Sequence, residues 1–151
     1  MSPEERNELV RAARLARDNA YAPYSRYAVG AALLAESGSL YRGANVENAA
    51  YPNGLCAERV ALFSAVASGE RKFRGLAVVT QDGGFPCGAC RQALAEFGLG
   101  LEILVAVESG DVCWSGTLSD LLPHAFGVDS LRTSAQGPAA GPAKEGGLGR
   151  R

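Results

Sequence analysis

The sequence predicts an α/β domain with three layers, helices on both faces of a mixed sheet of about five strands. Three observations carry that prediction. Short apolar runs with strand character alternate with helical patterns along the chain. The third and fourth of these runs are each approached from a helix, which makes them parallel neighbours and places helices on both sides of them. Hydrophobic residues make up 47% of the 151 positions and charged residues 21%, enough for a sizeable core.

Each element has a local cause. Ser2-Pro3-Glu4-Glu5 reads as a capping box with Pro at the first helical position. Leu9, Ala12, Ala13, Ala16 and Ala20 then recur at helical spacing, so a first helix runs to about Ala20 and Pro23 closes it. Tyr27 to Leu34 is small or apolar throughout and suits a buried strand. Glu36-Ser37-Gly38-Ser39 turns the chain, and Leu40 to Ala44 returns as the second arm of a hairpin. Asn45 to Leu55, rich in Asn, Pro and Gly, is expected to be irregular. A helix follows from about Cys56 to Ser68, stopped by Gly69. Leu76–Thr80 is the third strand, Gln81 to Pro86 a loop, and Cys87 to Phe97 the next helix, ended by Gly98 and Gly100. Leu101–Val107 and Val112–Ser115 are the last strands. Thr117-Leu118-Ser119-Asp120 is a second capping box, opening a short helix that ends at Pro123.

The catalytic or binding unit is expected over residues 1–131. Residues 132–151 are mostly Ala, Gly, Pro and polar groups, which cannot bury enough surface to offset ordering entropy, so a disordered tail is expected there. A net charge of −1 supplies no basic field for nucleic acid and no polybasic patch for a membrane surface. No apolar run approaches a membrane span, and the N-terminus lacks the layout of a secretory signal. A cytoplasmic protein is the expectation.

In a reducing compartment the four cysteines point to metal or catalysis rather than disulfides. Cys87 and Cys90 form a C-x-x-C at the head of one helix, and Cys56 heads another. A helix N-terminus favours thiolate through its unpaired N–H groups and dipole. Three thiolates converging there make a zinc site, with one Zn²⁺ per chain and a fourth position open to water. Cys113 is expected to be a small buried hydrophobe, and His124 a surface residue. Glu58 stands two residues after Cys56. A first-turn acid normally serves the helix dipole, but beside three candidate ligands it is placed for proton transfer. Arg59 follows, a guanidinium able to donate to the thiolate sulfurs and offset the charge of a three-Cys site.

Cys56-x-Glu58 followed by Pro86-Cys87-x-x-Cys90 is the signature of the zinc deaminases. The chain resembles a cytidine deaminase of the small homotetrameric type. The resemblance runs through Ala22–Leu33, Gly43–Pro52, Cys56–Arg59, Pro86–Gln92 and Leu121–Phe126, in family order, and covers about residues 5 to 131. It implies a cytidine deaminase-like fold and hydrolytic deamination of cytidine and 2′-deoxycytidine in pyrimidine salvage, with a free nucleoside as substrate. It also implies a homotetramer whose active sites are completed by neighbouring subunits. By the same resemblance Asn45 and Glu47 bind the ribose and Tyr27 packs beside the pyrimidine. Ala57 offers backbone groups to the pyrimidine edge, while Phe126 and Tyr51 belong to segments shared between subunits. The loop Gln81–Phe85 is shorter than in many relatives. Two other readings stay open: a deaminase on the same scaffold acting on a nucleotide, a nucleobase antibiotic or a base in nucleic acid, and a zinc-stabilised binding module without turnover.

Overall fold

The structure, a computed structural model, describes residues 1–127 and 131. The tail expected over 132–151 lies outside the described residues. Five strands form one sheet in the order β2-β1-β3-β4-β5. They are β1 (Gly30–Ala35), β2 (Leu40–Ala44), β3 (Phe73–Thr80), β4 (Glu102–Val107) and β5 (Val112–Thr117). Only β3 and β4 run parallel, in register Val78↔Val105, and the other three pairs are antiparallel. The expected mixed sheet is therefore present, with its single parallel pair where a helical crossover required one.

Side-chain alternation sorts the strands between two cores. One face of the sheet carries Ala32, Leu34, Ala77, Val79, Leu104 and Ala106 against Leu9, Val10 and Ala13 of α1 (Pro3–Arg17). The other carries Ala31, Leu33, Leu76, Val78, Ile103 and Val105 against α2 (Ala57–Ala67), α3 (Gly88–Ala95) and α4 (Leu118–Leu121). The three layers follow from this period of two.

Two glycines set how closely the helices approach. A Cβ at Gly30 would sit 2.5 Å from Arg17 N of α1. A Cβ at Gly43 would collide with the carbonyl of Ala57 and lie 2.5 Å from Ala61 N. The first turn of α2 thus rests directly on β2, which fixes the height of everything that turn carries.

Several boundaries differ from the sequence reading. Both capping boxes form, at Ser2 and at Thr117, but α1 ends at Arg17 rather than Ala20. Its last carbonyls go to turn amides, with Asn19 N donating to Ala16 O and Ala20 N to Arg17 O. Residues 27–29 do not join β1. The Asn45 side chain replaces the missing ladder there, accepting from Val29 N at 2.8 Å and donating to Tyr27 O at 2.9 Å. Cys113 is exposed and not buried, because β5 is the edge strand, and its thiol donates to Val105 O at 3.3 Å.

Candidate active site

Cys56 and Cys87 are the N-cap residues of α2 and α3, both in extended backbone, and Cys90 is the third residue of α3. The two helices pack on the same face of the sheet, and their N-termini bring the three Sγ atoms within 4.8 Å of one another. Cys56 and Cys87 are 3.9 Å apart and Cys87 and Cys90 3.5 Å. Thiolates about 2.3 Å from a tetrahedral zinc stand roughly 3.8 Å apart, so this donor set fits the ion. Among the described residues it is the one cluster of three metal-ligating side chains. His124 is exposed and takes no part in it.

The electrostatics favour ionised sulfur. The neighbouring Cys90 thiol brings the Cys56 pKa down to about 5, and Arg59 adds to the effect. Cys90 is pushed in the opposite direction by its contact with Cys56 and by burial. Arg59 Nη2 lies 3.8 Å from Cys56 Sγ, and its buried Nε has no partner.

Glu58 is in the first turn of α2, 4% exposed. Burial raises its carboxyl above the usual value, and the Cys56 charge raises it further. Ala57, between Cys56 and Glu58, is fully buried and does not reach the cavity wall.

A cavity of about 730 Å³ opens above these residues. Cys56, Glu58, Arg59 and Cys87 line it together with Tyr27, Asn45, Glu47 and Tyr51, so eight of the residues singled out from sequence meet in one place. Cys90 is buried just behind them. Phe126 does not line the cavity; it is 60% exposed, and Gln92 Nε2 holds its carbonyl at 2.8 Å.

Glu47 is fixed by the segment before β1. Its Oε2 accepts from Tyr24 N at 2.9 Å and Ser25 N at 3.2 Å, and its Oε1 accepts from the Ser25 hydroxyl. The Ser25 bond is the largest cause holding the carboxyl below its usual value, so Glu47 is an anion at neutral pH. Arg26, next to Ser25, is the one non-glycine described residue with positive φ, at 59°. That kink separates two cavity-lining residues, Ser25 and Tyr27.

Sequence reasoning missed part of the wall. Val78 and Thr80 line the cavity from the end of β3, where nothing in a plain apolar strand distinguishes them. Gly84 and Phe85 come from the loop before Pro86, and Tyr24 and Ser25 from a matched segment to which no role had been given. The Tyr24–Tyr51 edge contact, with ring centroids 5.8 Å apart, was equally invisible.

The family model for the cytidine and deoxycytidylate deaminase zinc-binding region matches residues 3–106. A cytidine deaminase of Sporosarcina psychrophila is 46% identical over 132 residues, covering 85% of this chain and 96% of its own. One from Halalkalibacterium halodurans is 45% identical over 130 residues, covering 84% and 98%. Among solved structures, a cytidine deaminase from Burkholderia pseudomallei superposes with a TM-score of 0.76 at 47% identity, over 83% of this chain and all of that one. The cytidine deaminase of Mycobacterium tuberculosis superposes with a TM-score of 0.71 at 42% identity, covering 80% and 96%.

Proposed function

The chain belongs to the cytidine and deoxycytidylate deaminase family, and from that premise we propose that it converts cytidine and 2′-deoxycytidine, with water, to uridine and 2′-deoxyuridine, releasing ammonia. The observation that carries this reading is Glu58, a buried carboxyl beside a three-sulfur zinc site on the wall of a nucleoside-sized cavity. A binding module with a merely structural zinc has no use for such a group.

Cys56, Cys87 and Cys90 are the residues that would hold one zinc ion per chain. When bound, the ion supplies Lewis acidity that makes water reactive near neutral pH. Glu58 takes the proton released by the attacking water and delivers it to ring N3, which makes C4 electrophilic. It then takes the proton of the new C4 hydroxyl and passes it to the amino group, which leaves as ammonia as the C4 carbonyl forms, so one carboxyl serves each transfer in turn. Arg59 donates toward Cys56 and withdraws charge from the sulfurs, which preserves the Lewis acidity of a three-thiolate site.

Asn45 and Glu47 hold the ribose. Each Asn45 amide atom keeps one hydrogen-bonding position free after bonding residues 27–29. Glu47 spends three of its roughly four acceptor positions on Tyr24 and Ser25 and leaves one for a sugar hydroxyl. Tyr27 flanks the pyrimidine. Tyr51, 75% exposed, and Phe126, 60% exposed and off this chain's own cavity, suit a homotetramer in which neighbouring subunits complete each site. No described helix is long and apolar enough to cross a membrane. A site built on free thiols works only where they stay reduced, which fits the cytoplasm and pyrimidine salvage.

The test is an ultraviolet assay of cytidine, deoxycytidine, CMP, dCMP and adenosine on one zinc-loaded preparation. Cytidine and deoxycytidine should be turned over comparably and adenosine not at all. CMP and dCMP should be poor, because a phosphate would enter a cavity that already holds the Glu47 anion. Efficient dCMP turnover with cytidine ignored would move the protein to a nucleotide substrate and leave the zinc chemistry intact.

A further inference from the structure

The loop between β3 and α3 carries Phe85 into the cavity wall and delivers Cys87 to the metal site. Its downstream end is secured twice. Arg91 Nε donates to Pro86 O at 2.6 Å while its Nη1 reaches Leu121 O at 2.9 Å. Phe85 packs on Trp114 with ring centroids 5.3 Å apart. Its upstream end is secured from across the cavity. The Tyr27 hydroxyl donates to Asp82 Oδ1, and among the described residues this is the one hydrogen bond joining the 22–29 segment to the 81–86 loop.

Both ends of that bond are held. Tyr27 N donates to Ser25 Oγ at 3.0 Å and Tyr27 O accepts from Asn45 Nδ2 at 2.9 Å, which aims the ring. On the other side Thr80 Oγ1 donates to Asp82 Oδ1 at 3.2 Å and accepts from Gly84 N at 2.6 Å. Gly84 makes the room: a Cβ there would strike the Tyr27 hydroxyl. A phenylalanine at position 27 would flank the cavity as well as tyrosine does, so the hydroxyl needs a separate explanation.

We propose that Tyr27 is a positioning residue: its hydroxyl, bonded to Asp82, latches the metal-site loop to the opposite wall of the cavity and so fixes Phe85 and Cys87. The inference rests on the deaminase reading for its substrate arm, but the latch is a property of the loop itself. Chain 22–29 holds Asn45 and Glu47, the residues assigned to the ribose, and chain 81–87 carries Cys87 of the metal site, so this bond ties one side of the cavity to the other.

The experiment is a double-variant cycle on zinc-loaded protein, read first by the rate of zinc release to a chromogenic chelator and second by cytidine kinetics. Y27F and D82A should each release zinc about three- to tenfold faster, the range of a partly exposed hydrogen bond to a carboxylate. The double variant should be no faster than the faster single, because both remove the same bond. D82N, which keeps an acceptor oxygen, should stay near wild type. In Y27F, KM for cytidine should rise by a similar factor with kcat within twofold, since the walls lose registration while the proton chemistry is untouched. Unchanged zinc release in Y27F, effects that simply add in the double variant, or a loss carried by kcat alone would each overturn the latch. A wild-type enzyme that deaminates no cytosine nucleoside would sink the functional reading instead, and the zinc-release arm would still judge the latch.

Discussion

Gly43→Ala tests how the sheet controls the site. The new methyl would lie 2.5 Å from Ala61 N and 3.0 Å from Val60 Cβ, against an ordinary contact of 3.4–4 Å, and would strike the Ala57 carbonyl as well. Two of these obstacles are helix backbone, so no side chain can rotate away. Here α2 must lift by at least about 0.9 Å, the difference between 3.4 and 2.5 Å at Ala61 N, and further at the Ala57 carbonyl. Overpacking of this kind costs about 1–3 kcal/mol, which lowers Tm by roughly 4–12 °C in a domain of this size. The same lift moves the N-cap Cys56 and the first-turn Glu58. A misplacement of about 1 Å at reacting groups can cost roughly a hundredfold in rate. The expected result is a folded protein with lower Tm, weaker zinc retention and kcat/KM for cytidine reduced by one to two orders of magnitude. Calorimetry of the zinc-loaded protein, zinc release to a chelator and steady-state kinetics read the three quantities. A variant within 1 °C of wild-type Tm and within twofold in kcat/KM would refute the claim that β2 sets the height of α2.

Glu58→Gln should keep zinc at one per chain, by metal analysis, while turnover falls by about 10²–10⁴-fold or more, because the amide cannot carry a proton; activity within threefold of wild type would reduce Glu58 to a dipole-satisfying acid. Cys90→Ala should lose zinc and activity together and lower thermal stability, since Cys90 is fully buried between the other two sulfurs and α3; full activity in its zinc-free form would overturn the metal assignment. The Glu47 anchor should respond to acid with a definite sign. Its carboxyl is held below 4.5 in the folded protein, so its contribution to ordering Tyr24 and Ser25 is complete above 4.5 and fades as pH falls through the lowered value. Protection of the Tyr24 and Ser25 amides, measured as exchange relative to the intrinsic rate at each pH, should fall over that acidic range in the wild type and stay constant in Glu47→Gln.

The sequence by itself determined the elements whose causes are local. Ser2 with Glu5 and Thr117 with Asp120 are capping boxes in the chain and in the structure, because the bonds span three residues and need nothing else. The parallel β3–β4 pair followed from the helix between them, and the three-thiol cluster from Cys56, Cys87 and Cys90 standing where helices begin. What only the tertiary structure decided depends on neighbours far along the chain. Tyr27–Val29 is apolar enough for a strand, yet Asn45, sixteen residues from Val29, takes its backbone bonds and leaves it as cavity wall. Cys113 looks like a core residue, but the strand order puts β5 at the edge and leaves the thiol exposed. Asp82 had no visible distant partner until the fold brought the Tyr27 hydroxyl to it across fifty-five residues. Local hydrogen bonds and periodicity are written in short windows of sequence, whereas which face is covered and which groups meet across a cavity are settled by packing of the whole chain.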